Sequence, residues 1–143
     1  MTLVWYPPEL PRPERAPYQV TRGDGRTRRA EDAGPPNVRR RFSAVATTVA
    51  FSTVLTRAQL ARFDRFFDEE IKQGTLPFLM PAPDTDGLPL LTEDGTPLLT
   101  DEGVPILIAE TWLCLIGQQM PARAPSSPGS IQWRVSFDIA VMP

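Results

Sequence analysis

The chain has 143 residues, of which 41% are hydrophobic and 22% are charged, so we expect one domain able to bury a hydrophobic core. It contains no histidine and a single cysteine, Cys114, which excludes a Ser–His–Asp or Cys–His catalytic site, an intrachain disulfide and a four-cysteine zinc site within this chain. No apolar run approaches the length of a membrane span and no secretory signal is visible at the N-terminus, so we expect intracellular synthesis.

Charge is distributed unevenly along the chain. Residues 1–80 hold 13 basic and 9 acidic side chains, whereas residues 81–143 hold 2 basic and 8 acidic ones. Nine arginines lie within residues 12–41, and seven acidic residues without a basic one lie within residues 84–110. Complementary stretches of this kind set the register of contacts between copies of one chain, so we expect self-association that depends on salt. Nucleic-acid binding by the arginines is an alternative, disfavoured because acidic residues dilute the segment and no recognition helix accompanies it.

Residues 1–38 are predicted to form an extended, proline-rich N-terminal arm. The chain contains 17 prolines, seven of them before residue 37, and proline fixes φ and lacks an amide donor. Trp5 and Tyr6 are large apolar groups that are uncommon in a disordered tail. We therefore expect both to dock on a surface, either of their own chain or of a neighbouring subunit.

The next segment, from about Arg40 to Leu55, is predicted to be a half-buried strand. Apolar residues alternate with small or polar ones, and β-branched residues are frequent, as is typical of such a strand. The alternation is less regular at residues 42–46, which predicts a bulge or a break near Ala46.

The sequence then predicts an α-helix over residues 57–73. Thr56 is a suitable N-cap, Gln59 completes a capping box, and Gly74 follows as a C-terminal stop. Apolar residues at spacings of three and four draw one stripe on this helix, which is typical of packing against a core. The stripe consists of Leu60, Phe63, Phe67 and Ile71, widened by Phe66.

Three further strands are predicted toward the C-terminus. Leu76–Met80 reads as a short strand, and Thr111–Ile116 as a buried one in which Cys114 is an inert small hydrophobe. Ile131–Val141 alternates between apolar and mostly polar residues without interruption. This pattern predicts a long antiparallel strand with one face on the core.

Residues 87–110 contain three consecutive octads, which begin at Gly87, Gly95 and Gly103 and repeat Gly, Pro and Leu at positions one, three and five. The Asp-Gly pairs are typical of type I′ hairpin turns, and proline favours edge strands, which together predict a small meander. We expect a β-hairpin insertion over residues 84–110 that projects from the domain. A calcium site is the alternative, but neither an EF-hand loop nor the glycine-rich nonapeptide spacing is present.

Two other functions are weaker readings of the sequence. A hydrolase would need paired carboxylates whose burial separates their pKa values, and the candidates lie among turn glycines where we expect solvation. A carbohydrate- or nucleic-acid-binding module would use exposed tryptophans or the arginines, but Trp133 is in register with core-facing residues. We therefore predict no catalytic site, metal or cofactor. The residues considered for these functions are Asp84, Asp86, Glu93 and Asp101 for hydrolysis, and Trp112 and Trp133 for binding.

The order of elements carries a resemblance to a family. A Gly-Asp-Gly turn with Arg at Gly23–Arg26 precedes Ala33-Gly34 and a basic strand entry at Arg39–Phe42; a Thr-capped helix bearing Phe66-Phe67 and a final alternating strand follow. Between these last two lies an apolar-Pro-Phe strand with Pro81 and Pro83. In this order the chain resembles the minor tail proteins of long-tailed, non-contractile phages. It is similar to the family of the lambdoid minor tail protein M and, more distantly, to distal tail proteins, over residues 18–83 and 130–142.

The resemblance implies a mainly β (α+β) fold, an antiparallel β-sandwich of the tail-tube type flanked by one α-helix, within a domain of residues 39–143. Such subunits assemble as a ring, typically hexameric, that links the tail tube to the tip hub, with DNA passing through. The implied partners are further copies of the chain, the tube protein, tip hub proteins and, transiently, DNA, but no membrane. The implied location is the virion tail, assembled in the host cytoplasm, and a neck or other tail-completion ring is the alternative.

The arm, the arginine clusters and the octads are the segments expected to contact neighbouring subunits. The residues predicted at these contacts are Trp5, Tyr6, Arg28, Arg29, Arg39, Arg40, Leu90, Leu98, Asp101 and Glu102.

Overall fold

The computed structural model describes residues 3–126 and 128–143. The described chain is mostly β, with one α-helix and a mixed sheet, which confirms the expected mainly β class. The α-helix, α1, spans Arg57–Arg65 and continues into a π-helical turn, Phe66–Glu70. The strands are β1 (Val4–Trp5), β2 (Gln19–Thr21), β3 (Arg26–Arg29), β4 (Asn37–Arg40), β5 (Thr47–Thr56), β6 (Phe78–Pro81), β7 (Thr111–Ile116), β8 (Ala122–Pro125) and β9 (Gln132–Val141).

The strands form one seven-stranded sheet and a separate two-stranded ribbon. The main sheet has the order β1-β6-β7-β9-β5-β2, with β8 also paired to β9, and the ribbon consists of β3 and β4. The centre of the main sheet is the antiparallel pair of β5 and β9, in register from Thr47 opposite Val141 to Thr56 opposite Gln132. The sheet is mixed rather than wholly antiparallel, because β1 runs parallel to β6. The finer expectation of a sandwich of the tail-tube type stays a prediction.

The helix begins where the sequence predicts and ends earlier. The backbone amide of Gln59 donates to Thr56 Oγ1 at 3.4 Å, and the backbone amide of Thr56 donates to Gln59 Oε1 at 3.0 Å. These two hydrogen bonds form the capping box. After Arg65 the turn widens, and the Ile71 amide donates to the Phe66 carbonyl at 3.0 Å. In this segment Phe66 is buried in the core and Phe67 is half-buried.

The core lies between the helical segment and one face of the sheet. Its centre is a group of aromatic rings, in which Phe51 and Phe137 are 4.7 Å apart at their centroids and Phe66 and Phe78 are 5.4 Å apart in an edge-to-face arrangement. Cys114 is fully buried beside them, and burial raises the pKa of its thiol to about 12, which favours the neutral form.

The N-terminal segment, predicted as an extended arm, is built into the domain over its first part. Tyr6 and Leu10 belong to the core, with 7% and 8% of their surface exposed. β1 is the strand at one edge of the sheet and β2 the strand at the other, so residues 4–21 reach from edge to edge. Both edge strands are short, at two and three residues, which leaves few unpaired backbone groups at the edges. Residues 22–42 form the part that carries the separate ribbon.

Candidate interaction surfaces

The first candidate surface is the arginine ribbon, which consists of β3, β4 and Arg41. All eight strand residues are exposed. Arg26 lies opposite Arg40 and Arg28 lies opposite Val38, so these three arginines share one face, while Arg29 and Arg39 lie on the other. Like charges directly opposite each other destabilise an antiparallel pair, and an isolated two-stranded ribbon is marginally stable. An anionic partner would relieve both disadvantages.

The attachment of the arginine ribbon to the body explains why glycines flank Asp24. A Cβ at Gly23 would lie 2.2 Å from Val45 Cγ1 and 2.4 Å from the Ala46 carbonyl, so only glycine permits this approach. Asp24 accepts hydrogen bonds from Arg26, with Nε at 2.8 Å, and these lower the pKa of Asp24 to about 2. The ribbon thus neutralises its nearest carboxylate internally. In the described part of the chain, no carboxylate forms an ion pair with Arg28, Arg29, Arg39 or Arg40.

The second candidate surface is the octad knob, residues 87–110, which closes into a ring with threefold pseudosymmetry. The Leu90 amide donates to Ile106, the Leu98 amide to Leu90 and the Ile106 amide to Leu98, all at 2.8–2.9 Å between nitrogen and carbonyl oxygen. A second cycle relates residues of neighbouring octads in the same way. In this cycle a backbone amide donates to a backbone carbonyl at 2.8 Å in each case: Thr92 to Thr96, Thr100 to Val104 and Ile108 to Leu88.

The closure corrects the prediction of a small meander with type I′ turns. A type I′ turn needs a positive φ at both central residues, whereas in the knob only the glycines adopt one, at +81°, +82° and +81° for Gly87, Gly95 and Gly103. The Gly95 amide donates to the Thr92 carbonyl at 2.9 Å, so Glu93 and Asp94 are the two central residues of the turn and the glycine follows them. The third corner is formed by the entering and leaving chain, since the Gly87 amide donates to Ile108 at 2.8 Å.

Equivalent side chains of the knob are exposed to nearly the same degree. The exposed fractions of Leu90, Leu98 and Ile106 are 41%, 38% and 41%, and those of the following leucines are 54%, 56% and 58%. The two chain-internal corners carry acidic pairs, Glu93-Asp94 and Asp101-Glu102, and the knob contains no basic residue. It therefore presents apolar side chains bordered by acidic corners.

The base of the knob is fixed by hydrogen bonds to Glu110. The Ala82 amide donates to the Glu110 carbonyl and the Glu110 amide donates to Asp86 Oδ1, both at 2.9 Å. The Glu110 carboxylate accepts from Trp112 Nε1 at 3.2 Å and from the Thr85 hydroxyl. Arg12, from the N-terminal segment, donates through Nη2 to the Asp86 carbonyl at 2.7 Å.

The residues considered for hydrolysis or metal binding do not converge. Glu93 and Asp101 lie in different corners of the knob, and Asp86 holds the backbone of Glu110. Within residues 3–126 and 128–143, no three His, Cys, Asp or Glu side chains are grouped so as to hold a metal ion. Trp133 is half-buried, with the Arg123 guanidinium 5.7 Å from its ring centroid.

The ten predicted interface residues fall into three groups in the structure. Trp5 is 52% exposed and borders a proline-lined cleft of about 380 Å³, whereas Tyr6 is buried in its own core and offers little surface to a neighbour. The four predicted arginines come together on the ribbon, and the two leucines come together around the axis of the knob. Asp101 and Glu102 form one of its corners.

Sequence reasoning missed the contact between Arg12 and Asp86. The two residues are 74 positions apart, and neither belongs to a motif that relates them.

The helices of the described part are all too short, or too polar, to cross a membrane. No protein-family model, curated protein or solved structure matches the chain.

Proposed function

We propose that the protein is a structural subunit of a long-tailed phage tail. In this proposal, copies of the chain form a ring, hexameric as in the family it resembles, that links the tail tube to the tip hub while DNA passes through. The ring belongs to the virion tail and is assembled in the host cytoplasm. Its partners are further copies of the chain, the tube protein and the tip hub proteins, and it catalyses no reaction.

The observation that carries the proposal is that the body bears two appendages of opposite charge. The arginine ribbon is basic and exposed, and the octad knob is acidic and apolar. The strands at the two ends of the main sheet, β1 and β2, are only two and three residues long, and short edge strands limit pairing between the sheets of two copies. We therefore assign the contacts between copies to the appendages, and a head-to-side contact that repeats around an axis closes a ring when its rotation closes.

A neck ring or another tail-completion ring would use the same features at a different position in the tail. A nucleic-acid-binding module is the second candidate, favoured by the exposed arginines of the ribbon. Binding of duplex DNA with a steep salt dependence, by a chain that does not self-associate, would favour that second candidate.

Native mass spectrometry of the purified protein tests the ring. We expect an oligomer of defined stoichiometry at low ionic strength that dissociates as salt is raised, because exposed charges are screened within about 10 Å at 0.1 M salt. A strict monomer at high concentration, both alone and with the tail-tube protein, would contradict the proposal.

A further inference from the structure

One corner of the octad knob already binds an arginine. The Nη2 atom of Arg12 lies 2.7 Å from the Asp86 carbonyl oxygen and would lie 2.7 Å from a Cβ placed on Gly87. The guanidinium therefore covers the glycine and donates to the carbonyl that precedes it. A planar guanidinium with several donors suits such a site, where a backbone oxygen is exposed beside a residue without a side chain.

The pseudosymmetry of the knob repeats this corner twice. Gly95 and Gly103 have the same positive φ as Gly87, and their amides donate to equivalent carbonyls at 2.9 Å. Among the described residues, no atom lies within 4 Å of a Cβ placed on Gly95 or Gly103, whereas one placed on Gly87 meets Arg12. The space that the guanidinium occupies at the first corner is thus open at the other two.

The open corners differ from the first in one respect that favours a cation further. At the first corner, the Asp86 carboxylate accepts the Glu110 amide at 2.9 Å and faces the base of the knob. In the described residues, no arginine or lysine forms an ion pair with the carboxylates of Asp94 or Glu102, which precede the open glycines. A hydrogen bond from a guanidinium to a carboxylate is about twice as strong as one between neutral groups.

We propose that each open corner of the knob binds an arginine from the ribbon of a second copy of the chain. The ribbon is chosen as the occupant because four of its exposed arginines lack ion pairs within the described chain, namely Arg28, Arg29, Arg39 and Arg40. Arg12 shows the contact that such a corner makes. The contact is heterologous, since ribbon meets knob rather than its own equivalent. This contact rests on the proposed function, because the ring requires a contact that repeats around an axis. A heterologous contact generates a ring when its rotation closes and a filament when it does not.

Reciprocal charge reversal tests the contact. In the ribbon variant, Arg39→Glu and Arg40→Glu reverse two exposed charges; in the knob variant, Asp94→Arg and Glu102→Arg reverse the two corners. We expect each variant alone to self-associate at least about tenfold more weakly than the natural chain at low salt, measured by sedimentation velocity. An equimolar mixture should recover association to within about threefold, because the introduced carboxylates meet the introduced arginines while the unaltered ribbon meets the unaltered knob.

Matched controls carry the same charge changes on the exposed helical segment. Arg57→Glu with Arg65→Glu, and Asp68→Arg with Glu69→Arg, alter net charge as much as the two test variants but leave both appendages unchanged. The controls should self-associate as the natural chain does. Far-UV circular dichroism checks that every variant is folded.

The outcomes separate this contact from the proposed function. Rings that persist in both test variants would overturn the contact and leave the ring in place, whereas open filaments that respond to the charge exchange would support the contact and contradict the ring. If both variants lose self-association and their equimolar mixture does not recover it, that result would overturn the contact. So would a ribbon whose reversal abolishes binding to a 30-base-pair duplex while self-association is unchanged, and so would a natural chain that stays monomeric at low salt.

Discussion

Arg134 on the last strand donates two hydrogen bonds to Glu14 in the N-terminal segment, from Nε at 2.9 Å and from Nη2 at 3.1 Å. The same carboxylate accepts from the buried Ser52 hydroxyl at 2.6 Å, and the Glu14 amide donates to the Ser52 carbonyl at 2.7 Å. Glu14 thereby joins a proline-rich segment to the two central strands. This segment is part of the domain itself and stabilises it.

Replacing Glu14 by alanine should lower the free energy of unfolding by about 1–3 kcal/mol, because Ser52 would keep a buried hydroxyl without its acceptor. Glu9→Ala is the matched control, since Glu9 is 61% exposed at its side chain and lies 3.8 Å from Arg62. A pair this exposed should contribute less than about 1 kcal/mol. Urea denaturation of both variants measures the difference, and equal losses would contradict the role assigned to Glu14.

The pKa of Glu14 is lowered, first by the hydrogen bond from Arg134 and next by that from Ser52. A carboxyl whose pKa is lower in the folded than in the unfolded chain stabilises the fold above its unfolded value, about 4.3 for glutamate, and loses this contribution as pH falls through the folded value. We expect the stability difference between the natural chain and Glu14→Gln to be constant near pH 7 and to shrink below about pH 4.5. A difference that stays constant down to pH 2.5, below the usual carboxyl range, would show that the charge of Glu14 contributes nothing.

Two adjacent phenylalanines in the π-helical turn differ in how deeply they are buried. Phe66 is 1% exposed and contacts the rings of Tyr6 and Phe78, whereas Phe67 is half-buried and stacks on Phe63. Phe66→Ala should therefore cost about 3–5 kcal/mol and Phe67→Ala about half as much or less. Thermal or chemical denaturation distinguishes this from a regular α-helix with Phe67 in the core, for which the order of the two losses would be reversed.

Deletion of the middle octad, residues 95–102, tests the closure of the knob. Leu98 donates to Leu90 and accepts from Ile106, so its removal leaves the amide of Ile106 without its partner. We expect that amide to exchange with solvent at least about tenfold faster in hydrogen–deuterium exchange, while Phe137 in the core stays protected. Unchanged protection of Ile106 would mean that the octads do not depend on one another.

Local signals in the sequence predicted the elements that depend on neighbouring residues. The sequence correctly predicted the capping box at Thr56, the alternating strand β9 and the existence of a repeat unit. Each of these depends on contacts or periodicities within about ten residues. The α-helix was predicted to continue to residue 73, which is wrong: it ends at Arg65 and a π-helical turn follows to Glu70. The stripe of apolar residues, which included Phe66, does not reveal this wider turn.

Contacts between distant residues could not be predicted in the same way. The pairing of β1 with β6 and of β2 with β5 depends on the strand order of the sheet, which local patterns in the sequence do not contain. Closure of the knob depends on the chain returning at Ile108 to the point where it entered. The bond from Arg12 to Asp86 depends on both features at once, so it is visible only in the folded chain.

Electron microscopy of the purified protein at low ionic strength shows whether copies of the chain form a ring. We expect closed annular particles of uniform size with a central opening, in which the ribbon of each subunit reaches the knob of the next. Particles no larger than one compact chain, with or without the tail-tube protein, would contradict it.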